Sequence, residues 1–455
     1  MSILRWLWPG IGVKRWIAVF ALGIVLVGLG VIVMLGGTTL RAVADWVRDA
    51  AYLLTGSLMT PFLRGLILLV PGLILIGSGA SRLFRAMITV LFPETGKVGD
   101  VIYQRKYLER GPRIVAIGGG TGLSTLLRGL KTYTSNITAI VTVTDDGGSS
   151  GRLRGELGVP PPGDIRNCLV ALADTESLME SLFQHRFERG GSLAGHSFGN
   201  LFIAAMAQVT GDFELAVRES SRVLAIRGRV LPSTNDNAVL NARFVDGSLA
   251  AGESTITGQG KAIDRVWLAP SDVHPLGESL RAINAADLIV VGPGSVFTSI
   301  IPNLLVEGIP AALAASPAQV VYVANIMTEH GETDGYAVID HWRAINDHAG
   351  RSIIDVVIEN SSPVPPELLA GYAVESAQPV PPSHGELERH GVRVVRAPLL
   401  AAGSLARHDP DKLAQTLMTL LGRKRAGRDR VSWLSFMWFA ERMRSQRRRQ
   451  SSGKG

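Results

Sequence analysis

A chain of 455 residues with 46% hydrophobic and 19% charged residues has the apolar content for two or three packed domains, which excludes a disordered polymer. Its one cysteine, Cys168, excludes an intrachain disulfide framework and any zinc site built on two or four thiolates of this chain, and it fits a reducing cytosolic setting. The formal net charge of +7 is concentrated at the end, where residues 422–455 carry eleven Lys or Arg against Asp429 and Glu441; the body is close to neutral, and the basic balance says nothing about its binding core.

From Ile17 to Leu40 the chain runs 24 residues without a charge, enough to cross a hydrocarbon core of ~30 Å at about 1.5 Å per residue, and this predicts a transmembrane helix. A second uncharged run, the 17 residues Gly65–Ser81, reaches that length once Phe62 and Leu63 join it and Arg64 snorkels to the interface. Pro71 inside it is tolerated, because kinked helices occur in membranes. Arg5, Lys14 and Arg15 precede the first run, Arg82, Arg85, Lys97, Arg105 and Lys106 follow the second, and in the link Arg41 and Arg48 are offset by Asp45 and Asp49. The positive-inside rule then predicts a multi-pass cell-membrane protein: a two-helix transmembrane hairpin with both termini and the globular domain in the cytoplasm. Ala42-Val43-Ala44 has the look of a signal-peptidase site, yet the apolar core exceeds a signal h-region and a second apolar run follows.

Residues 1–111 are therefore read as hairpin and linker, 112–421 as an α/β domain, and 422–455 as a basic amphipathic tail. After Pro112 short β-branched runs alternate with helical stretches. Arg113–Ile117, Ile137–Val143, Asp287–Val291, Val320–Ala324 and Ile353–Ile358 are strand candidates; Leu123–Lys131, Ile165–Ala173, Leu178–Phe187, Phe198–Val209, Phe213–Leu224 and Leu276–Ala285 are helix candidates. This alternation predicts a Rossmann-like, mostly parallel sheet covered on both faces. Between Arg229 and Leu268 the punctuation by Asn and Gly around Ala238–Val245, Glu253–Thr257 and Ile263–Leu268 predicts a small antiparallel β insertion. In the tail, Trp433, Leu434, Phe436, Met437, Trp438 and Phe439 sit among basic residues, a composition suited to anionic lipid.

Four motifs carry chemistry. Arg113–Gly118 leads into Gly119, Gly120, Thr121, Gly122 and Ser124, a strand entering a glycine-rich turn and then a helix, where backbone N–H groups and the helix N-terminus attract phosphate. Leu123 stands where the dinucleotide spacing would need its third glycine and no P-loop lysine follows, so neither fingerprint is met and no tightly bound flavin or nicotinamide is expected. Thr144-Asp145-Asp146-Gly147 follows a strand, and Pro160–Asn167 brings Asp164, Arg166 and Asn167. Carboxylates at strand ends suit Mg2+, so Asp145, Asp146 and Asp164 are the metal candidates, with Arg152, Arg154 and Arg166 to offset phosphate charge. His196-Ser-Phe-Gly-Asn200 precedes an apolar helix, and Gly292-Pro-Gly294-Ser295 through Thr298 to Pro302 offers a second N–H cradle.

Together these motifs resemble the CofD-like family, most closely its bacterial gluconeogenesis-factor branch. The resemblance spans roughly 112–420 through Gly118–Leu130, Thr144–Arg154, Pro160–Asn167, His196–Leu201, Gly292–Gly308 and Asn325–Tyr336. It implies a Rossmann-like body that binds a nucleotide or UDP-sugar ligand and acts in cell shape and envelope building during gluconeogenic growth. It also implies a protein partner that receives the signal and leaves room for a homo-oligomer. Enzymatic cousins move a phospholactyl group from a guanosine diphosphate donor to a deazaflavin acceptor with a divalent metal. The chain is similar to those cousins at Thr144-Asp145-Asp146 and at the Gly292–Pro302 frame, whereas Gly147–Arg152 and Pro160–Asn167 look like the factor branch.

Overall fold

The computed structural model describes residues 14–35, 45–46, 49, 52, 60–91, 106–174, 177–373 and 376–425. The chain divides into two compact units, Met1–Arg105 and Lys106–Gly455. Much of the link between the two apolar runs, and the tail from residue 426 with its aromatic cluster, lie outside the described residues.

In the first unit α1 (Lys14–Leu35) and α2 (Pro61–Leu91) are both long and apolar enough to cross a bilayer. Pro71 lies inside α2 without ending it. Glycine brings the two backbones together: a Cβ on Gly23 would fall 2.7 Å from the Ile76 nitrogen, one on Gly30 2.9 Å from the Gly65 carbonyl, and one on Gly79 3.0 Å from the Phe20 nitrogen. The partner numbers fall on one helix as they rise on the other, so the helices run antiparallel. At one end Arg82 stacks its guanidinium 4.4 Å from the centre of the Trp16 ring. Leu22, Ile24, Val25, Leu73 and Ile74 face outward.

The second unit is built on strands β1 (Ile114–Gly118), β2 (Ile137–Val141) and β3 (Arg229–Pro232), then β4 (Val239–Phe244), β5 (Leu249–Ala251) and β6 (Ile263–Ala269), then β7 (Leu288–Val291), β8 (Gln319–Val323), β9 (Val356–Asn360) and β10 (Arg393–Ala397). Seven of them form one sheet in the order β10-β9-β8-β7-β1-β2-β3, every pair parallel. β1, β2 and β7 are buried along their whole length, as strands with helices on both faces must be, and this is why they read as unbroken apolar runs. One face packs against α3 (Gly120–Leu130), α4 (Gly148–Leu157), α5 (Gly163–Leu172), α6 (Phe198–Thr210) and the helix Pro410–Arg425. The other packs against the helices 277–285, 309–315 and 338–349 and the small sheet β5-β4-β6. The chain winds outward from β1 through β2 to β3, then crosses to β7 and winds the other way. β1 and β7 are thus the neighbours at which strand order reverses.

The small antiparallel sheet is present, with two departures from expectation. Arg229–Pro232 opens no insertion: it pairs with β2 as the edge of the main sheet, because the chain at Gly228 passes so close to β2 that a Cβ there would sit 2.5 Å from the Ile137 carbonyl oxygen. Glu253–Thr257 is helix, not strand: Gly252 turns the chain at φ +91°, and Asp146 accepts the Ser254 N–H at 2.7 Å, capping Glu253–Gly258. The strand that pairs with β4 there is Leu249–Ala251. β10 was not foreseen.

Two glycines in helices test the packing. A Cβ on Gly129 of α3 would strike the Pro410 carbonyl and approach Ala414 to 2.9 Å, so α3 and the C-terminal helix touch backbone to backbone, whereas Gly155 in α4 has nothing within 4 Å. Gly129→Val should lower stability by about 1–3 kcal/mol or more, and Gly155→Ala should raise it by about 0.5–1 kcal/mol. Thermal unfolding of the two variants beside the wild type checks both signs.

Candidate functional site

The site lies at the carboxyl ends of β1 and β7, where a doubly wound sheet opens a crevice at its switch point. β1 ends in Gly118-Gly119-Gly120 and β7 in Gly292-Pro293-Gly294, and the two loops abut. A Cβ on Gly118 would be 3.8 Å from the Gly292 Cα, and one on Gly122 would be 2.5 Å from the Pro293 carbonyl oxygen. Gly120 at φ +63° and Gly292 at φ +78° hold backbone shapes that side chains disfavour. Asn325, at the end of β8, clamps the second loop: its amide donates to the Gly294 carbonyl at 3.0 Å and its oxygen accepts the Gly294 N–H at 3.3 Å.

Between the loops opens a cleft of about 420 Å³. Gly119, Gly120, Thr121, Gly122 and Thr125 line one side, Pro293, Gly294, Ser295 and Ser299 the next, and the segment Asn325–His330 with Tyr372, Arg407 and His408 forms the far wall. Of the sequence candidates, Gly119, Gly120, Thr121, Gly122, Gly294 and Ser295 meet here. Gly118 and Gly292 lie at the root of the two loops. Ser124 is buried and gives its hydroxyl to the Thr121 carbonyl at 2.9 Å. Thr298 is also buried and donates to Glu332 at 2.9 Å.

Glu332 matters more than its absence from the candidates suggests. Its carboxylate also faces the backbone N–H groups of Phe297 and Thr298, which hold its pKa down against burial, while its Oε2 is buried with no hydrogen-bond partner among the described residues. The Asp164 carboxylate likewise faces the Gly120 N–H, which lowers its pKa. Burial, with Glu329 beside it, pushes the Glu332 carboxyl up to about 8. Burial, with Asp145 next to it, pushes Asp164 up to about 7.

The remaining candidates gather beside the cleft, on the β2 side. Asp145 accepts the Gly147 N–H at 2.9 Å and lies near Asp164, close enough to raise its pKa. Asp146 turns away to cap the helix at Glu253, so the three aspartates do not form one metal-binding set. Among the described residues no group of three His, Cys, Asp or Glu is placed to hold a metal ion. Asp145 and Asp164 alone remain as an oxygen-donor pair, a fit for Mg2+, which commonly completes its shell with water and phosphate. Glu253, unforeseen, joins this acidic neighbourhood: burial first, then Asp164 and Asp145, raise its carboxyl well above the usual range.

Arg166 donates to Ser197 Oγ at 2.5 Å and to the Asn167 side-chain oxygen at 2.8 Å. Burial and Arg186 pull its pKa down while Asp164 and Asp145 push it up. His196 sits 3.0 Å from Ser149 Oγ, which accepts the Asn200 amide at 3.1 Å, and burial and Arg152 lower the His196 pKa. Arg152 spends a donor on the Ala194 carbonyl at 2.8 Å, and Arg154 bonds Asn237 and the Ala238 carbonyl. The Arg that reaches the cleft is Arg407.

Comparison with known proteins bears directly on this geometry. The family described as "2-phospho-L-lactate transferase CofD" matches residues 114–400, which spans the whole seven-stranded sheet and both glycine loops. The chain belongs to the CofD family. It is 52% identical over 311 residues to the Bacillus subtilis protein named "Gluconeogenesis factor", covering 68% of this chain and 98% of that one. A gluconeogenesis-factor homologue of Nostoc is 45% identical over 428 residues, 93% of this chain and 94% of its own, so the likeness there extends well beyond the sheet. A crystal structure of a Bacillus halodurans protein superimposes with a TM-score of 0.67 at 50% identity, covering 68% of this chain and 100% of that one.

Ser299, Asn325, Glu329, Glu332, Arg407 and His408 were not among the named site candidates. Ser299 lay within Gly292–Gly308, and Asn325, Glu329 and Glu332 within Asn325–Tyr336, segments that carry the family resemblance. Arg407 and His408 carried no such signal, being in an irregular stretch that only the fold brings to the cleft.

The buried Glu332 gives a pH prediction. Its folded pKa of about 8 lies above the ordinary 4.5, so the folded state binds the extra proton; its contribution to stability is fully present at low pH and is lost as pH rises through about 8. Glu332→Gln keeps an acceptor for Thr298 but cannot ionise. Denaturant midpoints taken at about pH 5 and about pH 9 should fall less for this variant than for the wild type; equal falls would show that Glu332 does not ionise in this window.

Proposed function

We propose that the chain is a membrane-tethered, cytoplasmic nucleotide-sugar receptor that reports UDP-sugar supply to envelope synthesis and cell-shape control. The abutting glycine loops at the switch point support this most directly: they line one side of the cleft with glycine backbone, where diphosphate oxygens can approach N–H groups, with Arg407 at the far side to meet their charge. The gluconeogenesis-factor kinship points to the same ligand class. Asp145 and Asp164 would hold Mg2+, which neutralises phosphate charge when bound. That pair also favours a second reading, a phospholactyl-type transferase with a nucleotide diphosphate donor.

Titration calorimetry of the detergent-solubilised full chain with UDP-N-acetylglucosamine, with and without Mg2+, separates the two. In the receptor reading the ligand binds and is recovered intact. Arg407→Ala weakens binding about tenfold or more, Asp164→Asn abolishes the Mg2+ dependence, and Asp146→Asn leaves it in place because Asp146 caps a helix. No binding heat for UDP-sugars sinks this reading, and product formation from a guanosine diphosphate-linked phospholactate promotes the transferase.

The tether rests on the antiparallel contact of α1 and α2 and on the Trp16–Arg82 stack, which puts an aromatic ring and a cation together at one end of the pair. Reporter fusions at Asp49 and Pro112 should give opposite topologies, with Pro112 in the cytoplasm. A periplasmic signal from the Pro112 fusion would overturn it.

A further inference from the structure

At the edge of the main sheet, remote in the strand order from the switch point, β10 pairs with β9 alone. Arg393 donates its N–H to the Asp355 carbonyl and Ala397 accepts from the Ser361 N–H, both toward β9. In a parallel ladder alternate residues bond the same neighbour. The N–H and C=O groups of Val394 and Arg396 therefore face outward, and no backbone hydrogen bond reaches them among the described residues. An edge left open in this way is a template for another strand.

Beside this edge runs a groove of about 340 Å³, floored by Val395 and Ala397 and walled by one face of the helix Pro410–Arg425. Its charged lining residues are Arg393, Arg396, Lys412 and Arg423, and no carboxylate lines it. Arg396 is paired with Glu359 at 3.0 Å, and Lys412 donates to the Leu400 carbonyl. Arg393 and Arg423 have no ion-pair partner among the described residues.

Charge selects the occupant. Edge-to-edge pairing with a second copy would set these cations against their own counterparts, a repulsive arrangement. An extended segment with Glu or Asp at alternate positions meets both needs at once: main-chain groups for Val394 and Arg396, carboxylates for Arg393 and Arg423. We infer that β10 and the adjoining basic groove dock an acidic, extended peptide segment of a partner protein by strand addition.

The test uses the full chain in neutral-lipid nanodiscs and a fluorescent seven-residue peptide alternating glutamate and valine, read by anisotropy. Saturable binding is expected. N-methylating the peptide amides, which preserves charge but removes the ladder donors, should weaken it at least about tenfold. The double substitution Arg393→Glu with Arg423→Glu should abolish it while circular dichroism and thermal unfolding stay unchanged. Equal affinity for plain and N-methylated peptides would reduce the effect to attraction by the basic tail and overturn strand addition. Absence of peptide binding overturns it too, as does a loss of binding to phosphatidylglycerol vesicles in the double variant without any peptide binding, which would mark the groove as a lipid surface.

Discussion

The carbonyl oxygen of Pro293 occupies the space that any side chain at residue 122 would need. That contact fixes the distance between the loop after β1 and the loop after β7, and the rest of the site is arranged around it. Because the strands are parallel neighbours, their loops leave the sheet at the same end. Glycine on both lets them meet backbone to backbone, with Asn325 tying the second loop by two hydrogen bonds. A crevice formed this way presents peptide dipoles where most pockets present side chains, and such a surface suits an anion that must be approached closely.

The electrostatics of the site pull against that same surface. Two helix starts point at the switch region, and carboxylates of the protein face both: Asp164 at Gly120 and Glu332 at Phe297 and Thr298. That placement puts charge into a poorly solvated space, and with Asp145, Glu253 and Glu329 nearby the carboxyls are driven toward protonation. An anion arriving here would add negative charge to this neighbourhood. Neutralisation, by protons or by a cationic group, is therefore a physical requirement of anion binding here, whatever the ligand.

How much of this the sequence carried depends on which property each residue expresses. β1, β2, β7, β8 and β9 were legible because strands covered on both faces must be continuously apolar. β10 was not, since Arg-Val-Val-Arg-Ala is half polar, as an edge strand can be. The glycine loops were legible because glycine at such turns has few other uses. Asp145 and Asp146 show the limit: adjacent in sequence, identical in chemistry, and sent in opposite directions, one beside Asp164 and the other to the Ser254 N–H. No pattern in one sequence distinguishes them, because the choice is made by a helix more than a hundred positions away.

The apolar helices make the same point about glycine from the other side. Close approach of two such helices rests on van der Waals contact where side chains are smallest. Gly23 and Gly30, and Gly65, Gly72 and Gly79, recur every seven residues, two full turns, and therefore stay on one face of each helix. Gly28 and Gly77 break that spacing and have nothing within 4 Å. Spacing, more than glycine content, separates the seam from the rest, so a helix pair of this composition can hold one register while the leucines and isoleucines around it stay turned outward.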